Sequence, residues 1–248
     1  MKKLLLPLLA ILLTTACTKE NSTGKTSDEK LKLTEDVLGC VDNSSQKFVK
    51  ICSQKWMQKN LDVSRYRNGD PIPQVNNLAE WEGLTTGAWC YYNFDPKNGK
   101  IYGKLYNWYA VNDPRGLAPK GWHVPTGDEL FSLIDCLGGV PDGPTDGWII
   151  VAGKLKSTGT KEAKTGLWLA PNTGATNSSG FSALPGGSLS YSGYSFMFNN
   201  LGTSASWWTA DGFSEYGNMF SISYNEDRLF YYYYDRYEGH YVRCIKDH

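Results

Sequence analysis

The chain has 248 residues, 14% of them aromatic, and equal numbers of basic and acidic side chains, 25 of each. Because no basic patch or stripe appears, this composition argues against a nucleic-acid partner. The three histidines are too few for most acid–base or metal schemes, and no CxxC or HxxxH spacing of zinc ligands occurs. We therefore predict no metal site, no cofactor and no catalytic residue; the alternative for the metal is calcium bound by side-chain oxygens of Asn172, Asn177, Asp211, Asn225 and Asp227.

The N-terminus has the layout of a secretory signal. Lys2 and Lys3 precede an apolar run, Leu4 to Leu13, that is shorter than the roughly 20 residues of a membrane span. The small residues that lead into Cys17 resemble the lipobox of bacterial lipoproteins. That resemblance implies cleavage before Cys17, lipid on its sulfur and on its new amine, and a place at the outer membrane or cell surface. The alternative is an ordinary cleaved signal followed by a free thiol.

Composition divides the chain into three parts. Residues 1–16 are the predicted signal peptide, and residues 17–36, rich in Lys, Glu, Ser and Thr, are a predicted disordered tether. Loss of the signal removes two lysines and leaves a net charge of −2. Residues 37–248 contain no further linker and no internal repeat, so we predict a single domain there.

The first half of this domain alternates short extended segments with turns. In chain order we predict a strand at 48–51, an extended piece at 56–61, a turn at 68–71, a helical turn at 77–81, strands at 87–94 and 102–111, and a turn between them at 95–99.

A capped helix follows in the middle of the domain. Pro125 ends an extended lead-in, and Thr126 with Glu129 forms a capping box. An apolar stripe at 3/4 spacing comes next: Leu130, Leu133, Ile134 and Leu137. Gly138 and Gly139 then supply a left-handed stop, so a helix of about eleven residues is expected.

The last third of the chain changes character. Residues 153–187 are dominated by Gly, Asn, Ser, Thr and Pro, which predicts a long packed loop. Four aromatic or β-branched runs follow, at 206–209, 219–224, 228–234 and 240–245. Turn signals at 211–212, 225–227 and 238–239 separate them, and this spacing predicts an antiparallel meander.

Five cysteines remain after Cys17, and an exported chain is free to oxidise them. An odd number leaves at least one free thiol. We predict a Cys90–Cys244 disulfide first and a local Cys40–Cys52 disulfide second. Cys136 lies on the flank of the helix stripe, where we expect a small packed residue.

Seven ordered blocks resemble one family. They are Gln54–Met57 with Asn60–Leu61, Leu84–Ala88, Tyr102–Ala110, Gly121–Thr126, Gly180–Gly187, Trp207–Thr209 and Val242–Asp247. Together they are similar to the Fibrobacter succinogenes major paralogous domain of exported bacterial proteins, over about residues 45–248. That family in turn looks like a branch of the C-type-lectin-like superfamily, which implies an α+β fold with short helices, twisted antiparallel strands and long ordered loops.

The resemblance transfers no functional residue to this chain. Relatives in the superfamily include formylglycine-generating enzymes, which need a pair of reactive cysteines near the C-terminus. Cys244 stands alone there, so we predict a binding protein rather than an enzyme and keep an enzyme on that scaffold as the alternative.

Aromatic richness is the strongest functional signal. A strand puts alternate side chains on opposite faces, so the tyrosine run cannot be buried on both sides unless something covers it. Exposed tyrosine and tryptophan make good contact surfaces, and flat sugar faces dock on such rings. We predict a carbohydrate or surface-protein partner contacted through Trp207, Trp208, Tyr231, Tyr232, Tyr233 and Tyr234. The alternatives are rings that only fill the core, and a structural envelope component without a ligand.

Overall fold

Short antiparallel strands, five short helices and long loops make up residues 46–141 and 148–247, the part of the chain that the computed structural model describes. This mixture is an α+β architecture, as predicted. The predicted signal peptide and tether, with Cys17 and Cys40, lie outside the described residues. Within the described ranges, no helix has the length and apolar character needed to cross a membrane.

The thirteen described strands are two to ten residues long. In chain order they are β1 (Phe48–Ile51), β2 (Gln54–Met57), β3 (Trp89–Cys90), β4 (Leu105–Tyr106), β5 (Trp122–His123), β6 (Val140–Pro141), β7 (Trp148–Ile150), β8 (Gly186–Ser192), β9 (Ser195–Leu201), β10 (Ser204–Phe213), β11 (Tyr216–Ser223), β12 (Arg228–Asp235) and β13 (Ile245–Lys246).

The helices lie mainly in the first half. They are α1 (Leu78–Glu82), α2 (Pro96–Tyr102), α3 (Trp108–Val111), α4 (Gly127–Cys136) and α5 (Ala152–Leu155), with a 3-10 turn at Tyr92–Phe94.

Two larger sheets and one two-stranded pair organise these elements. A four-stranded sheet has the order β1-β2-β13-β5, a seven-stranded sheet has the order β6-β7-β12-β11-β10-β8-β9, and β3 pairs with β4. In the seven-stranded sheet, β10 and β8 run parallel and the other neighbours run antiparallel. The four-stranded sheet therefore joins segments from both ends of the described part of the chain.

The predicted meander is confirmed for three of its four strands. β10, β11 and β12 pair antiparallel in sequence order. The fourth predicted strand is wrong, because β13 pairs with β2 and β5 in the other sheet. Before it gets there, the chain makes only isolated bridges, from His240 to Tyr106 and from Tyr241 to Trp207.

The predicted central helix is confirmed as α4. Thr126 and Glu129 form the reciprocal capping box, and Leu130, Leu133 and Ile134 are buried. Gly138 then adopts a φ of 70°, the left-handed conformation that ends a helix at little steric cost.

Two predicted strands and the turn between them are partly wrong. Asp95 accepts a hydrogen bond from the Lys97 amide, and Pro96 occupies the first helical position, so these residues start α2 rather than a turn. Asn107 caps α3 in the same way through the Ala110 amide. Only Trp89–Cys90 and Leu105–Tyr106 remain extended in strands.

The disulfide predictions are wrong. Cys52 in the β1–β2 turn is bonded to Cys136 at the end of α4, with a Cα–Cα distance of 6.5 Å, whereas Cys90 and Cys244 are free and buried. Burial raises the pKa of both free thiols, which keeps them protonated and unreactive. Because Cys52 is bonded to Cys136, it has no bond left for Cys40. Both bonded cysteines lie at the exposed surface.

A histidine ties α4 to the C-terminal end of the chain. His123 Nε2 lies 2.8 Å from Glu129 Oε1, and His123 Nδ1 lies 2.7 Å from Asp247 Oδ1. Burial lowers the pKa of His123, but the hydrogen bonds and charges of Asp247 and Glu129 outweigh it, so this pKa is raised. Burial conversely raises the pKa of Glu129, but bonds from Thr126 and His123 leave it lowered.

We expect this contact to stabilise the fold most between about pH 4.3 and about pH 6.5, the ordinary pKa values of glutamate and histidine. The contribution of His123 is complete below its ordinary pKa and is lost as pH rises through its raised folded-state pKa. The contribution of Glu129 is lost as pH falls through its lowered one. Because these side chains are partly exposed, the effect should be at most about 1 kcal/mol.

Urea denaturation from about pH 4 to about pH 9, on the wild type and on His123→Gln, measures this profile. The glutamine variant should lose the alkaline decline in stability, and Asp247→Asn should move that decline to lower pH. If the stability of His123→Gln still fell with rising pH as in the wild type, the titration of another group would be responsible for that fall.

Candidate functional site

Two of the predicted contact residues are buried and make no surface. Trp207 and Trp208 are each 0% exposed. The indole N–H of Trp207 donates to Asn60 Oδ1 at 2.8 Å, and that of Trp208 donates to the Tyr106 carbonyl at 2.8 Å. Their predicted role as ligand contacts is therefore wrong, since the sheet buries both rings in the core.

The tyrosine run of β12 is largely exposed. Tyr231 is half-buried and packs edge-on against Phe131 of α4, with ring centroids 5.3 Å apart. Tyr232, Tyr233 and Tyr234 are 37%, 67% and 37% exposed. The long loop 153–187 leaves these three rings uncovered.

The two faces of β12 present their rings differently. On one face, Phe230 and Tyr232 stack on each other with centroids 6.0 Å apart, and Tyr234 meets His240 edge-on at 5.8 Å. Stacking directs ring faces towards each other and leaves edges for solvent. Tyr233 lies on the opposite face, beyond Tyr231, because side chains alternate along a strand.

Two residues from the neighbouring strands join Tyr233 on its face. Phe213 pairs with Tyr216 across β10 and β11, and Tyr216 pairs with Asp235 of β12, two residues beyond Tyr233. Directly opposed residues in an antiparallel pair share a face. Phe213 is 76% exposed and Tyr216 is 44% exposed. We refer to Phe213, Tyr216 and Tyr233 as the meander tip.

Sequence reasoning missed Phe213 and Tyr216 because it placed a turn at Asp211-Gly212. In the structure β10 continues to Phe213, and the turn falls at Ser214-Glu215, where Ser214 has a φ of 52°. Gly212 is needed for packing instead, since a Cβ there would lie 2.6 Å from the ring of Trp108. The aromatic residues on each side of Ser214-Glu215 were the sequence signal that could have placed the turn there.

The N-terminus of α4 braces the meander tip. The β10–β11 pairing shifts register between Trp208 and Gly212, and the Asp211 carboxylate accepts a hydrogen bond from the Gly127 amide. A carboxylate at this position also interacts favourably with the helix dipole. A Cβ at Gly127 would lie 2.6 Å from the Tyr231 hydroxyl, so a larger residue here would have to displace the Tyr231 side chain. The end of β10 that carries Phe213 is therefore held against the N-terminus of α4 by the Asp211–Gly127 hydrogen bond.

A buried polar chain lies on the other side of the sheet. His240 Nδ1 is 2.6 Å from Ser206 Oγ, and His240 Nε2 is 3.3 Å from Glu238 Oε2, although the second pair is not aligned as a hydrogen bond. The residue types match those of a nucleophilic triad, but Ser206 is only 4% exposed and its hydroxyl meets Nδ1 rather than Nε2. Since no substrate reaches a hydroxyl buried in this way, the arrangement holds the His240 ring in the core beside Trp208, at 4.5 Å between centroids.

Two loop side chains that carry oxygen atoms bond to the backbone, although the buried Oδ1 of Asn172 has no hydrogen-bond partner among the described residues. Asp227 accepts from the Gly153 amide, and Asn172 donates to the Ser157 and Gly159 carbonyls, both at 3.0 Å. Across residues 46–141 and 148–247, no group of three or more His, Cys, Asp or Glu side chains is placed to hold a metal ion.

Comparison with known proteins gives one match. The family model described as the Fibrobacter succinogenes major domain matches residues 49–246. Searches of curated proteins and of solved structures each returned no significant match. The matched range includes every strand of the fold except the first residue of β1.

Proposed function

The chain belongs to the Fibrobacter succinogenes major domain family, and from that premise we propose that it is an exported, lipid-anchored envelope protein that binds carbohydrate through the meander tip. The C-type-lectin-like relationship is part of this proposal. The short helices, antiparallel sheets and long ordered loop support it.

Two observations support export. The basic start, short apolar run and Cys17 have the layout of a lipoprotein signal. Independently, Cys52 and Cys136 are bonded and lie at the surface, where cytosolic reductants would have access to them. A surface disulfide of this kind is typical of the periplasm or the cell exterior, so both observations favour the same compartment.

The exposure of the meander tip carries the binding proposal. Phe213 and Tyr233 are 76% and 67% exposed and share one face of the sheet, on β10 and β12, with β11 between them. Large apolar surface left in water at one place on a domain marks a contact site. Aromatic rings present a flat apolar face, and the apolar face of a pyranose ring packs against it.

The buried thiols favour binding over catalysis. Chemistry like that of formylglycine-generating enzymes needs two accessible, reactive cysteines. Cys90 and Cys244 are both 0% exposed, and burial raises the pKa of each. The proposal therefore assigns the domain no reaction.

Isothermal titration with soluble hexasaccharides of β-linked glucose, xylose and mannose tests the proposal. We expect at least one of them to bind, and we expect Phe213→Ala combined with Tyr233→Ala to weaken that binding at least about fivefold, since each ring contributes about 0.5–1.5 kcal/mol. Tyr194→Ala is the matched control, because Tyr194 is 96% exposed at the separate β8–β9 turn. Failure of all three sugars to bind, or an equal loss in the control, would contradict the proposal.

A further inference from the structure

We propose that the meander tip selects its glycan by charge: amino sugars bind most tightly, neutral sugars less tightly, and acidic sugars least. This inference rests on the proposed function and adds the chemical class of the ligand. It follows from the carboxylates that surround the three rings.

The strand ends that form the tip carry acidic and no basic side chains. Residues 211–218 and 231–235 contain Asp211, Glu215 and Asp235 but no lysine or arginine. Glu215 is exposed in the β10–β11 turn, between Phe213 and Tyr216, and Asp235 is half-buried directly opposite Tyr216. Negative charge therefore lies immediately beside the rings.

No described cation compensates this charge. Asp211 accepts from the Gly127 amide, and Asp235 accepts from the Tyr237 hydroxyl at 2.6 Å, both from uncharged donors. Within the described ranges, none of the three carboxylates forms an ion pair with lysine or arginine. The nearest arginine in sequence, Arg236, places its guanidinium over the ring of Trp108 at 4.6 Å. Trp108 packs against Gly212 and Gly217, on the face away from the tip.

Rings and carboxylates act on a charged ligand in the same direction. The face of an aromatic ring carries negative quadrupole charge and attracts a cation within about 6 Å. Nearby carboxylates add Coulomb attraction for an ammonium group and repel a carboxylate or sulfate. A neutral sugar keeps the packing against the rings but gains neither effect. The order of affinity should therefore follow ligand charge, and the differences should shrink as salt screens them.

Three β-1,4-linked hexamers with the same backbone test this order: chitosan hexamer, cellohexaose and a hexamer of glucuronic acid. The affinities are compared at about pH 5.5, which is above the ordinary pKa values of carboxylic acids. In low salt we expect at least a tenfold difference in affinity between the amino and the acidic hexamer, with cellohexaose between them. Raising the salt to about 0.5 M should reduce that difference to less than threefold.

Matched variants separate charge from packing. Glu215→Gln combined with Asp235→Asn should bring the three affinities within about threefold of one another, whereas Glu82→Gln combined with Asp135→Asn, two exposed carboxylates elsewhere, should preserve the order. Equal affinities in low salt for the wild type would overturn the inference and leave the proposed function standing. Two results would overturn the proposed function. One is that none of the three hexamers binds. The other is that chitosan hexamer and the cationic peptide hexalysine bind while cellohexaose does not, because the protein would then recognise positive charge and not a sugar.

Discussion

Replacing Arg243 with alanine is expected to lower the free energy of unfolding by about 4 kcal/mol. Arg243 is 1% exposed, and its Nε and Nη2 donate to Asn60 Oδ1 at 3.1 and 2.7 Å. Its Nη1 donates to the Phe181 carbonyl, and the guanidinium lies 4.3 Å from the centroid of the Phe181 ring. Alanine would leave a cavity and remove the donor of a buried carbonyl.

The charge of Arg243 is held without a described carboxylate partner. Burial lowers its pKa to about 9, so the group stays protonated at neutral pH. Charge-assisted hydrogen bonds and the aromatic face offset the loss of hydration. Because a buried charge costs several kcal/mol to desolvate, an apolar residue of similar volume should be tolerated better than a truncation.

This balance gives an order that chemical denaturation can measure. Arg243→Met should cost no more than about half of what Arg243→Ala costs. Arg243→Lys should cost about 3 kcal/mol, since an ammonium lacks the planar fork that reaches both acceptors. Arg65→Ala, at an exposed arginine, should stay within about 0.5 kcal/mol of the wild type. If all Arg243 variants were as stable as that control, the guanidinium would have no role in stability.

The residues that carry the family resemblance converge on this arginine. Asn60 accepts from both Arg243 and Trp207, and Phe181 packs edge-on between Trp56 and Trp207 at 5.8 and 5.6 Å. These residues come from four of the seven blocks in the sequence. The family pattern therefore describes how distant segments are held in one core. Phe213, Tyr216 and Tyr233 lie outside all seven blocks, so a match to the family leaves the ligand open.

Local signals made part of the fold predictable. The cap at Thr126, the apolar stripe and the stop at Gly138 fall within one short segment, and α4 forms there as predicted. The turn at Asn68–Pro71 is equally local, with Gly69 at a φ of 95°. In such cases neighbouring residues decide the conformation, so a single sequence is enough.

Contacts between distant segments were not predictable in this way. The Cys52–Cys136 bond joins residues 84 positions apart, and only the path of the chain brings them together. Gly212 looks like a turn residue until Trp108, far away in sequence, is seen to fill the space above it. The same error hid Phe213, and with it the face on which the exposed rings meet. The burial of Trp207 and Trp208 has the same origin, because sequence alone does not tell which face of a central strand is covered.

Lys156 illustrates a third kind of contact, in which one buried charge fixes a whole loop. It is 0% exposed, and its Nζ donates to three carbonyls: Thr173 at 2.6 Å, Ser223 at 3.0 Å and Glu226 at 2.8 Å. Burial lowers its pKa to about 8, against the opposing charges of Asp227 and Glu226, so the ammonium is charged at neutral pH. All three of its N–H donors are used, which satisfies both the charge and the carbonyls.

Replacing Lys156 with methionine is expected to destabilise the protein by about 3–5 kcal/mol, because three buried carbonyls lose their donor. The Ser223 carbonyl is at the end of β11, the Glu226 carbonyl lies just before β12, and the Thr173 carbonyl belongs to the long loop. The ammonium therefore joins the loop to the end of the meander that lies away from the tip. The variant should therefore be cleaved by a protease first within residues 157–183, while the tip keeps its structure.

The matched control for this experiment lies two residues away. Lys154 is exposed, and its Nζ donates to a single carbonyl, that of Leu137, so Lys154→Met should cost less than about 1 kcal/mol. Urea denaturation and limited proteolysis of the two variants isolate the effect of burial, since the substitution is the same. Equal stability of the two variants would show that the three carbonyls find other donors. A large loss confined to Lys156→Met would mean that a single ammonium holds this loop to the end of the meander that lies away from the tip.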